Sequence, residues 1–207
     1  MILVLGASSV LPAAELVMRD LHADLAILPT AFRYQTSSPT VSTDGDDHFR
    51  SGTGLRLGGR RSLTSAGDTM GLVLGADLVS DTWTYAGSGS LWGYGGHVSA
   101  GLGWAINDSW TLIFEPGVGV GFNRLNLPAT RSGPGLTTTG RWLGWDARLV
   151  AAWQVSERII LRAHWGWMTA KHSEREAEGI TDTLTPSGMT IGLGFAWRLS
   201  NAPEPLR

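Results

Sequence analysis

Along most of this chain apolar side chains return at every second position. Between Gly93 and Phe122, Tyr94, Val98, Ala100, Leu102, Trp104 and Ile106 share one parity, while His97, Ser99, Gly101 and Gly103 take the other. After Asn107-Asp108-Ser109 the pattern resumes, with Trp110, Leu112, Phe114, Val118, Val120 and Phe122 against Thr111, Glu115, Gly117, Gly119 and Gly121. A period of two is that of a strand with one apolar face and one small or polar face. Two strands joined at a tight turn follow.

The same reading places strands at Ala26–Gln35, His48–Ser62, Thr69–Tyr85, Gly140–Val155, Ile159–Lys171 and Pro186–Leu199, eight in all with the opening pair. Ala26–Gln35 is the weakest, because Pro29 cannot donate a ladder hydrogen bond. The alternation fades near Asp81–Trp83, which predicts a bulge, and Pro116 beside Glu115 predicts another. Glu15–Asp24 keeps neither period for long and reads as a helical or irregular lead-in. Residues 1–14 read as a secretory signal peptide or its remnant, 15–199 as one β domain, and 200–207 as a loose tail.

Connections alternate in length. Thr36–Asp47, Ala86–Ser90, Asn126–Thr139 and His172–Leu184 read as loops, whereas the junctions near Gly67, Asp108 and Glu157 are tight. In an up-and-down barrel this puts the loops on one rim and the turns on the other, as in outer-membrane barrels. Both chain ends then face the periplasm.

Composition decides which face is outside. The chain has 207 residues, 28 glycines, 10 tryptophans, 16% charged residues and a single lysine, Lys171. An eight-stranded barrel encloses little more than its own side chains, and the apolar face is too bulky for that space. A soluble lipocalin-like barrel, with that face inward, is therefore the rival fold. The other face fits a narrow polar lumen carrying Arg50, Arg56, Arg60, Asp77, Glu115, Asp146, Arg148, Arg162, His164 and Arg198. Such charges require partners, so a plugged lumen is expected and a conducting, porin-like pore is the alternative. On the lipid face Trp92, Tyr94, Trp104, Trp110, Trp145, Trp153, Trp165, Trp167 and Trp197, with Tyr85 and Phe122, form two interfacial bands.

With this pattern, seen most clearly in the closing run Met189–Trp197, MTIGLGFAW, the chain from Ala26 to Leu199 resembles the small outer-membrane β-barrels of the OmpA, OmpX and OmpW type. The resemblance implies an all-β, eight-stranded antiparallel transmembrane barrel of a Gram-negative outer membrane. It implies no catalysis or cofactor, and roles in envelope structure, surface interaction or limited small-solute passage. Lipid and lipopolysaccharide are the implied surroundings, with a possible extracellular or envelope protein at the long loops.

Other chemistries have weaker support. A lipid A deacylase or acyltransferase needs a histidine, a serine and an acid converging; His164, His172, Ser173, Glu174 and Glu176 are the candidates, but consecutive strand residues point apart. Thr43–His48 could hold a hard cation but lacks the rest of a calcium loop, so no metal is expected. Scattered arginines and a net charge of −2 give no basic stripe for nucleic acid.

Overall fold

Ten strand segments form one antiparallel sheet: β1 (Arg19–Ile27), β2 (Ala31–Ser37), β3 (Ser42–His48), β4 (Ser51–Leu63), β5 (Met70–Thr84), β6 (Ser90–Ala105), β7 (Trp110–Leu127), β8 (Leu136–Gln154), β9 (Ile159–Arg175) and β10 (Thr181–Arg198). The computed structural model describes residues 19–38, 40, 42–64, 68–85, 89–127, 135–175 and 181–199. The expected signal segment 1–14 and tail 200–207 lie outside them. Eight segments close the ring in the order β1-β4-β5-β6-β7-β8-β9-β10, with β10 returning to β1. This is an eight-stranded up-and-down barrel.

The remaining two segments lengthen existing staves. β10 pairs with β1 through Ile191–Arg198 and with β2 through Thr181–Pro186, so β1 and β2 form one stave interrupted at Leu28-Pro29-Thr30. β3 continues β4 in the same way, across Phe49-Arg50. Most of the polar segment 36–47 is therefore the end of a long hairpin and not a loop, and the expected lead-in before Asp24 is strand from Arg19 onward. Ser42–His48 has no apolar face because both its sides are largely exposed. Alternation had nothing to register there.

Neither expected bulge forms. The β4–β5 and β5–β6 ladders run in constant register past Asp81 and Trp83. The pattern fades there because the inward face itself turns apolar, with Val79 and Trp83 both buried. At Pro116 the β6–β7 ladder lapses between Ser99↔Gly117 and Leu102↔Phe114, then resumes in the same register, while the pairing to β8 is unbroken. The missing N–H interrupts one ladder without adding a residue. Pro186 leaves the same kind of gap between β10 and β9.

At the junction of β3 and β4 the parity does slip. Phe49 is buried, Arg50 and Ser51 are both exposed, and Gly52 is buried again. Arg50 accordingly leaves the lumen, and Phe49, of the opposite parity, enters it. Strand length explains the misjudged loops as well. At about 3.3 Å per residue, the 19 residues of β8 extend roughly 60 Å, or roughly 40 Å in height at a tilt of about 45°. That is longer than the roughly 30 Å of a bilayer's hydrocarbon core.

Inside that rim Leu28, Phe32, Phe49, Val79, Trp83, Leu91, Leu125, Trp142, Met168, Ala170 and Leu184 make one cluster. Trp83 is its fully buried centre and donates its indole N–H to the carbonyl of Pro29 at 2.9 Å. Trp83→Ala is expected to lower stability by about 3–5 kcal/mol, read as a shift in the urea midpoint for unfolding from lipid vesicles, while Trp165→Ala on the outer face shifts it much less.

Candidate functional site

The lumen is layered. Toward the turns Val73, Ile113 and Val150 form one small apolar cluster, and Ala152, Ile160 and Ala196 another. Toward the loops lies the larger aromatic cluster. Between them β1, β4, β5, β6, β7, β8 and β9 project a layer of charge whose carboxylates include Asp20, Asp24, Asp77, Asp81, Glu115 and Asp146 and whose arginines include Arg56, Arg60, Arg148 and Arg162, all buried. Each sits on the inward parity of its strand.

Partners meet across the barrel, not along a strand. Arg60 of β4 grips Glu115 of β7 with Nε and Nη2, the second at 2.7 Å, a bidentate pair of the strong type. Its Nη1 is 2.8 Å from His22 Nδ1, and His22 Nε2 in turn lies 2.9 Å from Asp77. Arg56 reaches Asp146, on the stave diametrically opposite, at 2.5 Å. His97 is placed between Asp77 at 3.5 Å and Asp146 at 3.2 Å. Arg148 lies 3.4 Å from Asp77 and 3.6 Å from Glu115, and Arg162 3.2 Å from Asp24. Asp77 is the hub, with groups from four other strands around it.

Glycine makes room for this layer. A Cβ on Gly117 would collide with the ring of His97, and one on Gly192 with the ring of His164. The cavity beside Asp81, His97 and Asp146 measures about 10 Å³, at the lower limit for a single water. At this level the charges and rings leave little free space.

Of the expected lumen residues, Arg56, Arg60, Asp77, Glu115, Asp146, Arg148, Arg162 and His164 are buried in this layer, and Arg198 is half-buried toward the turn end. Arg50 is the exception, exposed at the strand junction. Asp20, His22 and Asp24 were missed because the segment holding them has short apolar repeats; their even spacing in Asp20-Leu21-His22-Ala23-Asp24-Leu25 was the available signal. His97 was recognised on the polar face but not as a link between two carboxylates.

The outer wall carries Trp92, Tyr94, Trp110, Trp145, Trp153, Trp165, Trp167 and Trp197 exposed and Trp104 half-buried. Trp110 and Trp153 stack at 5.8 Å near the tight turns, and Tyr94 approaches Phe122 at 5.9 Å nearer the loops. Tyr85 instead packs against Phe32 and Phe49. His172 is buried between Trp83 and Trp142, whereas Ser173 borders an outer groove, so these two cannot act together. Asp44 is paired with Arg33 on the exposed hairpin, and among the described residues no group of side chains is arranged to hold a metal.

Among the described residues, thirty-six large hydrophobics are exposed against seventeen buried hydrophobics, while charges gather inside. A soluble barrel of lipocalin type has the reverse distribution. This is a transmembrane barrel of outer-membrane construction.

No protein-family model and no curated protein matches the chain. Among solved structures it is similar to Neisserial surface protein A, at 9% identity and a TM-score of 0.46 over 86% of this chain and 97% of that one. It is also similar to OprG from Pseudomonas aeruginosa, at 10% and 0.47 over 91% and 99%, and to Ail of Yersinia pestis, at 14% and 0.39 over 88% and 100%. These are remote likenesses of shape; the distribution of charge and apolar surface is what establishes the reading above.

Removing one end of a buried pair strands the other. Arg60→Ala is expected to cost about 3–5 kcal/mol in equilibrium refolding into vesicles, and Arg50→Ala no more than about 0.5 kcal/mol. On the lipid face, Leu193→Arg is expected to cost about 2–4 kcal/mol in the same assay.

Proposed function

We propose that this protein is a non-catalytic outer-membrane barrel whose lumen is sealed and whose work is done at its long-loop rim, in surface interaction or envelope anchoring. The observation that carries this reading is a buried layer of ion pairs followed by an aromatic cluster inside the tube. Arg56–Asp146 and Arg60–Glu115 brace its middle, and the Trp83 cluster stops its outer half. A solute would have to break several buried ion pairs and displace an aromatic core to pass. Limited small-solute passage through the lumen is the less favoured reading.

The rim offers structure to a partner. The β2–β3 hairpin stands beside β10, and a cavity of about 240 Å³ opens between Phe32, Tyr34, Tyr85, Leu125 and Leu184, with Asp47 and Asp182 at its edge. An aromatic pocket edged by carboxylates is suited to contact with a host or envelope molecule, and it would face outward if the long loops are extracellular.

The test is reconstitution of the full chain into planar bilayers. Heat-modifiable gel migration with no stepwise ion conductance is the expected result. Reproducible single-channel steps from the folded barrel would contradict the sealed lumen.

A further inference from the structure

One cavity opens on the outer side of the wall, near the long-loop rim. It is a groove of about 950 Å³ crossing β5 to β9, bordered by Leu78, Tyr94, Val120, Phe122 and Leu143. Its floor is Gly96, which points outward and whose missing Cβ would meet nothing within 4 Å. Clefts of roughly 300–1,000 Å³ hold whole ligands, and this one opens to where lipid chains lie.

One end of the groove is basic. Arg141 and Lys171, the chain's only lysine, line it with Ser173, and both cations are exposed on the outward face. Arg141 is opposite Ser173 and Lys171 opposite Leu143, so the two are diagonal neighbours on adjacent strands, roughly 7–8 Å apart at the backbone. Arg124, opposite Thr139 on the neighbouring strand, adds a third outward cation at this rim. Among the described residues no carboxylate pairs with Arg141 or Lys171 in an ion pair. Cations on a lipid-facing wall are costly unless they sit at an interface with something anionic.

We propose that this groove binds the phosphorylated glycolipid of the outer leaflet, the lipid A part of lipopolysaccharide, with an acyl chain over Gly96 and a phosphate between Arg141 and Lys171. The guanidinium supplies a forked donor for phosphate oxygens and the ammonium a point charge, while Ser173 offers a hydroxyl. Charge complementarity and an apolar floor in one groove favour an amphiphile over a soluble anion. The site rests on the outer-membrane orientation proposed above, which puts this rim in the outer leaflet.

Native mass spectrometry of the refolded full chain, titrated with bisphosphorylated lipid A and with its dephosphorylated form, tests the assignment. Wild type is expected to prefer the phosphorylated form by at least about tenfold. Arg141→Gln/Lys171→Gln should abolish that preference, and Gly96→Leu, whose Cβ meets nothing within 4 Å and whose branch occupies the floor, should weaken both forms. Equal binding of the two lipids by wild type, or an undiminished preference in the double variant, overturns the site. If the chain fails to insert into vesicles, both the site and the membrane reading fall; if it inserts but does not discriminate, the site alone falls.

Discussion

A tube of eight strands is too narrow to hydrate the charges inside it, and the rest of the structure follows from how those charges are paired. Arg60 with Glu115 and Arg56 with Asp146 act as struts between distant staves, and Asp77 joins β1, β4, β6 and β8 through His22, Arg56, His97 and Arg148. Each ion taken from water costs several kcal/mol unless it is matched. The layer therefore ties the relative positions of the staves to the satisfaction of its own charges. Glycines at the crossing points, such as Gly117 and Gly192, leave the volume that those rings and carboxylates occupy.

The outer face answers a different solvent. Leucine, valine, isoleucine, phenylalanine and tryptophan cover it, and the wall has no need of the lysines that keep soluble sheets apart. Above the membrane the same strands continue as a taller cylinder, and its inner face becomes apolar around Trp83 and Trp142. Lipid-facing wall, charged middle and aromatic-lined rim are thus parts of the same staves. The proposed role at the rim rests on the buried ion pairs and aromatic cluster that occupy the middle.

The barrel was legible in the sequence wherever its two faces differ. From Tyr94 to Phe122 a bulky face alternates with glycine, and both strand order and facing could be read. Legibility failed where the contrast disappears. Ser42–His48 is polar on both sides and passed for a loop, while around Asp81–Trp83 the inward side carries Val79 and Trp83 and the outward side Ser80 and Thr82, so the contrast reverses and a regular strand looked broken. Arg50 was placed inside because alternation was carried across a junction where Phe49 and Ser51 shift the parity. Cross-lumen partners such as Arg60 and Glu115 were individually visible, but their pairing depends on the stagger of the closed sheet, which no local pattern encodes.

The inside-out arrangement is tested most directly by tryptophan quenching from brominated lipid chains in single-tryptophan variants of the reconstituted barrel. Variants retaining Trp165 or Trp197 should be strongly quenched, and those retaining Trp83 or Trp142 should be shielded. Quenching of Trp83 comparable to that of Trp165, or protection of all four, would contradict a barrel that turns its apolar face to lipid and closes its lumen with an aromatic core.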